Sequence, residues 1–252
     1  MMKQQLARTA AALLLAGAAA GAQAMVMSAS AHPEVDVTLS GWAFGSGHKV
    51  LSSATTTDGA VNYRGRAGAF TGTLAGAGDM DSVAFITWCI ELEERVSFDS
   101  TLAYSLVGGS EYFGQRRGDA GIADRLGRLM TYAAEHGNLV GSASGSTALQ
   151  LAVWNIVYDS DWTVGSAGGF RDSSSHSAAA NVLLAGAQGL ADSRYDVFAL
   201  ERAGSQDLLA LSSRGQAAAA ARVAVAEPGS LGLAGAALAS LLLARRGRRP
   251  QA

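Results

Sequence analysis

Residues 81–92 read DSVAFITWCIEL, and the alternation inside this stretch decides the fold class. In an extended chain Ile86, Trp88, Ile90 and Leu92 share one face, while Phe85, Thr87, Cys89 and Glu91 share the other. The first set reads as sheet core. Cys89 falls on the mixed face, where another element must cover it. The same β-branched and aromatic bias recurs in VDVTL (35–39), KVLSSATTT (49–57), GAFTGTL (68–74) and TLAYSLVGG (101–109), with turn pairs such as Asp58-Gly59 and Gly78-Asp79 between them. Residues 34–110 therefore read as β.

The period then changes. Over 119–136 the apolar residues Ile122, Leu126, Leu129, Met130 and Ala133 fall on one helical stripe, with Gly137 as a natural end. GNLVGSASGS (137–146) reads as a loop. A second helix follows over STALQLAVWNIVYDS (146–160), capped by Ser146 or Thr147. Its buried stripe is Leu149, Val153, Ile156 and Val157, and Gln150 lies in its first turn beside that stripe. An alanine-rich third helix covers 176–190, and DVFAL (196–200) and DLLAL (207–211) return to strand. Strands, then helices, then strands predict an α+β domain. Its sheet is an antiparallel sandwich or barrel-like sheet, with an inserted subdomain of two or three helices. There is no internal repeat.

The ends have a different composition. Residues 1–24, MMKQQLARTAAALLLAGAAAGAQA, carry Lys3 and Arg8, then a short apolar run, then Ala22-Gln23-Ala24 as a small-residue cleavage site. That is the pattern of a secretory signal peptide. Ala29-Ser30-Ala31 offers a second cut. At the other end, the linker 212–225 leads to AEPGSLGLAGAALASLLLARRGRRPQA (226–252). Its apolar helix, 231–244, spans about 21 Å against a hydrocarbon core of about 30 Å. A helix this short suits a temporary anchor, and Arg245, Arg246, Arg248 and Arg249 after it favour a cytoplasmic C-terminus.

Glu227 and Pro228, the apolar helix 231–244 and the arginines from Arg245 and Arg246 onward resemble the PEP-CTERM sorting tail of Gram-negative bacteria. The family's tail begins Pro-Glu-Pro, and here Ala226 stands in the first place. The resemblance implies recognition by an exosortase-type processing enzyme. It also implies transient anchoring in the inner membrane and delivery to the cell envelope or extracellular matrix.

Between the ends lies an exported domain, 25–211. The stretch 25–226 holds 13 basic and 20 acidic residues, a net charge of −7, with no basic cluster interleaved with aromatics. Nucleic acid is not an expected partner. His32, His48, His136 and His176 are scattered without metal-ligand spacing, and no phosphate-binding loop is present, so neither metal nor cofactor is expected. Glu91, Glu93 and Glu94 read as a solvated stretch at a strand end.

Cys89 is the only cysteine. A lone cysteine in an exported chain is a buried small hydrophobe, a reactive thiol, a partner for another chain or a nucleophile needing a base. Two local segments bear on the choice: WCIEL (88–92) and LQLAVWNIVYD (149–159). Together they resemble the thioester domains of bacterial surface proteins. There a Cys in an aromatic-Cys-aliphatic-Asp/Asn segment bonds to a Gln in a Gln-x-Ala-Ile/Val-Trp segment. The matching residues are Cys89 with Glu91, and Gln150, Ala152, Val153 and Trp154; Glu91 replaces the commoner Asp/Asn, and Leu149 stands where Thr is frequent. The resemblance covers roughly residues 80–160. It implies an internal Cys89–Gln150 thioester, with Trp88 and Trp154 as its apolar shield. It further implies single-turnover attachment, not enzymatic turnover, to an amine of a surface protein or a hydroxyl of a polysaccharide. Two alternatives stay open: a structural or polysaccharide-associated surface protein with a buried Cys89, and a secreted cysteine hydrolase, which requires a histidine beside Cys89.

Overall fold

A computed structural model describes residues 32–56, 59–76, 82–165 and 168–214. The signal-peptide segment, most of the linker and the whole sorting tail lie outside the described residues. The first strands are β1 (Glu34–Trp42), β2 (His48–Thr56), β3 (Gly59–Ala67), β4 (Phe70–Gly76), β5 (Ser82–Thr87) and β6 (Thr101–Gly108). The helical run is α1 (Gly109–Arg117), α2 (Ile122–Glu135), α3 (Gly137–Val140) and α4 (Ala143–Tyr158). After it come β7 (Phe170–Asp172), α5 (Ser177–Gln188), β8 (Tyr195–Glu201) and β9 (Leu208–Ser213).

The fold is α+β. Six strands form one antiparallel sheet in the order β5-β4-β1-β6-β8-β9, and β3-β2-β7 form a second, smaller one. In β1, Val35, Val37 and Leu39 alternate into the core, as a half-buried strand requires. The large sheet nearly closes on itself. Its two edges meet beyond the end of β5, where Leu209 N donates to Trp88 O (2.9 Å) and Ile90 N donates to Asp207 O (3.1 Å). The Thr87 hydroxyl adds a bond to Leu209 O (2.8 Å). The stretch from 88 to 90 is thus the seam of a barrel-like sheet.

Residues 81–92 are therefore not one strand. β5 stops at Thr87, and Trp88, Cys89, Ile90 and Leu92 are all buried, so the two-face alternation ends where the seam begins. Closing the sheet covers both faces of this segment, which a single strand's pattern does not anticipate.

The helices sit between β6 and β8 and are more numerous than the sequence suggests. α2 buries the expected stripe of Ile122, Leu126, Leu129, Met130 and Ala133. α4 is buried on every side from Gly145 to Val157, as a helix apolar all round must be. It starts earlier than expected. Ser142 is its N-cap, accepting from Gly145 N at 3.0 Å, so Gln150 lies mid-helix and not in the first turn. Ser146 and Thr147 do different work: Ala69 N donates to the Ser146 hydroxyl (2.6 Å), and the Thr147 hydroxyl donates to Ala67 O (2.7 Å), tying α4 to the β3–β4 connection. Ser212 and Ser213, expected in the linker, finish β9.

Candidate functional site

α4 and the seam bring Cys89 and Gln150 together across 61 residues of chain. The pairing follows from strand geometry. Trp88 O and Ile90 N point toward β9, so the N–H and C=O of Cys89, one residue out of phase, point the other way. No strand lies on that side. The Gln150 carboxamide takes the place of one: Cys89 N donates to Gln150 Oε1 (3.0 Å), and Gln150 Nε2 donates to Cys89 O (2.8 Å). Both residues are buried, Gln150 at 1% exposure and Cys89 at 5%. Burial pushes the Cys89 thiol well above its usual range, and the nearby Glu91 carboxylate pushes it further. The resident form is a neutral thiol.

Trp154 sits one helical turn beyond Gln150 on the same side, and its indole N–H donates to Glu91 O (3.1 Å). Tyr63 of β3 lies against its ring at 5.0 Å, and Phe170 at 6.4 Å. Trp88 is buried, and its indole nitrogen has no hydrogen-bond partner among the described residues. Tyr63 is the neighbour the sequence reading missed, because β3 itself was not recognised.

The acidic residues after Cys89 are anchors and not a solvated stretch. Glu91 Oε1 accepts Asp207 N–H (2.8 Å), and Glu91 O accepts from Gln206 Nε2 (2.9 Å). Asp207 in turn accepts from the Tyr112 hydroxyl (2.6 Å) and Arg202 N (2.9 Å). Burial first, and then the charge of Asp207, push the Glu91 carboxyl up to about 8. Tyr158 donates to Glu93 (2.7 Å) while accepting Leu92 N (2.9 Å), with Arg117 stacked on its ring at 4.1 Å. Glu94 accepts Gly204 N (3.0 Å). These bonds fix the chain on the C-terminal side of Cys89. The signal available in the sequence was the run of three carboxylates beside a buried aromatic segment, since charges so placed need partners.

The histidines lie elsewhere. His32 bonds Glu111, His136 stacks on Tyr132, and His48 and His176, scattered in sequence, come to 4.6 Å between ring centroids. Among the described residues no group of three His, Cys, Asp or Glu is placed to hold a metal ion. A cysteine hydrolase needs a thiolate and a base; Cys89 has a raised pKa, and its side-chain partner is an amide. Glu227, Pro228, Arg245 and Arg246 lie outside the described residues. In comparisons with protein-family models, curated proteins and solved structures, nothing matches this chain.

Proposed function

We propose that Cys89 and Gln150 condense to an internal thioester, and that the exported domain uses it once to attach to an amine or hydroxyl of a surface partner. The observation that carries this reading is the two-point grip of one cysteine's backbone on both ends of a buried carboxamide. The sulfur of Cys89 adds to the Gln150 carboxamide carbon, the C–N bond breaks, and the nitrogen leaves as ammonia with the thiol proton. Side chains of an extended segment stand off the plane of backbone pairing, so the sulfur meets the flat face of the carboxamide. The oxygen that gathers charge already accepts Cys89 N–H. That donor belongs to the seam; Gln150 is too far along α4 for the amides at the helix start to serve. Fixed placement of this kind is worth about 7–11 kcal/mol of barrier.

The surroundings suit the product. A thioester is uncharged, so the burial that disfavours a thiolate does not disfavour it. The stretch 25–226 carries 12 arginines but a single lysine, Lys49, so its cations are nearly all guanidinium groups that do not attack acyl carbons. When a target amine attacks, its nitrogen bonds to the Gln150 carbon, the C–S bond breaks and the amine proton goes to sulfur. The same bond closes a 61-residue loop and stabilises a domain without disulfides by about 4 kcal/mol. The reading includes the ends of the chain, supported by their sequence pattern. Residues 1–24 export the protein, and the tail 226–252 holds it in the inner membrane for an exosortase-type enzyme.

A second reading has its own support. The carboxamide pair is fully hydrogen-bonded as it stands, so Gln150 can serve simply as the polar plug of an open strand edge in a structural surface protein. Thiol titration of the unfolded chain separates the two. The thioester reading expects no free thiol without amine treatment and one per chain after methylamine. One full thiol from the untreated chain overturns it.

A further inference from the structure

Four side chains surround the Cys89–Gln150 pair, and they differ in exposure. Trp88, Ile90 and Trp154 are buried, whereas Tyr63 is half-buried and outermost. Its seat is specific. Tyr63 and Gly65 share a face of β3, and a Cβ at position 65 would lie 2.5 Å from the Tyr63 hydroxyl oxygen. The phenol therefore lies flat along the strand over a residue that must have no side chain. Its hydroxyl donates to Arg66 O at 2.7 Å, and its ring packs on Trp154, which donates to Glu91 O. The contacts run in series from the surface of β3 to the seam beside Cys89. The sulfur is close enough for its charge to act on the phenol, whose pKa is pushed up to about 12 by burial first and by Cys89 second.

We infer that Tyr63 is the access residue of the Cys89–Gln150 site: seated over Gly65 it covers the acyl carbon, and swung aside it admits a slender primary amine. This inference rests on the thioester reading and narrows its target. One ring held by one hydrogen bond and one aromatic contact yields to a rotamer change, while Trp154, held by α4 and by Glu91 O, does not. The opening left by one tyrosine ring passes the unbranched stem of a lysine and obstructs a hydroxyl mounted on a sugar ring. The domain's charge of −7 and the partly exposed Glu93 and Glu94 beside the seam draw cations toward the opening.

The test compares methylamine with the wider cyclohexylamine on the full-length chain, reading the rate of mass gain. The wild type is expected to take up methylamine about tenfold faster than cyclohexylamine. Tyr63→Ala should speed both reactions and remove most of that ratio, while Tyr63→Phe, which keeps the ring, should retain it. Gly65→Ala, which displaces the ring without touching Cys89, Gln150 or Trp154, should behave like Tyr63→Ala. A variant of either residue that carries the bond and keeps the wild-type ratio overturns the inference alone. A wild-type chain that takes up neither amine and has lost no ammonia removes the thioester reading, and this inference with it.

Discussion

Helix α4 buries two carboxamides, Gln150 and Asn155, and they are used in opposite ways. Asn155 pins a loop. Its Nδ2 is shared between Asp161 Oδ1 (3.3 Å) and Thr163 O (3.1 Å), and its Oδ1 has no partner among the described residues. Gln150 is held at both ends by one residue of the seam, at 3.0 and 2.8 Å. The first is an ordinary buried amide, half satisfied and tolerant of loss. The second completes a strand edge that has no other neighbour and faces a sulfur. Burying an amide is thus no sign of chemistry; the enclosure of both its ends beside a nucleophile is what sets position 150 apart.

Removing each amide should show the contrast most strongly. Gln150→Leu leaves the N–H and C=O of Cys89 buried without partners and deletes the covalent tie. The expected loss is about 5 kcal/mol, read from the denaturant midpoint at unchanged slope. Asn155→Ala should cost only about 1–2 kcal/mol, since it frees a loop and removes an acceptor already unpaired. Equal losses at the two positions would erase the distinction.

A smaller effect sharpens it. Glu91 is raised in the folded state from about 4.5 to about 8, so its contribution to stability is present below the lower value and is lost as pH rises through the upper one. After allowance for solvent screening, the wild type should lose about 1–2 kcal/mol between pH 5 and pH 8. Glu91→Gln should flatten most of that slope. Asp207, raised by burial as well, keeps a remainder of the same sign. An unchanged slope in Glu91→Gln would mean that the carboxyl does not titrate against the seam.

How much of this was legible follows the physics of each segment. The stripe of α2 and the alternation of β1 were readable because each element presents one face to the core. β3 carried its own signal, with Val61 and Tyr63 inward and Asn62, Arg64 and Arg66 outward, but its glycines and arginines masked it. α1, with only Gly109, Tyr112 and Phe113 buried, has too narrow an apolar face to announce a helix. The start of α4 was misplaced because Ser146 and Thr147 look like caps, while their hydroxyls serve the β3–β4 connection. At the site, Cys89 and Gln150 were readable as a pair of segments. The strand-like pairing between them, the anchoring by Glu91 and the cover by Tyr63 depend on tertiary closure that no local pattern encodes.

The intact mass of the purified chain beside that of Cys89→Ala addresses the central claim most directly, because any processing of the ends cancels in the difference. The account predicts that the wild type is lighter than its sequence-based offset from the variant by one ammonia, and that methylamine restores mass to the wild type alone. A difference equal to the Cys-to-Ala substitution and nothing more would contradict it.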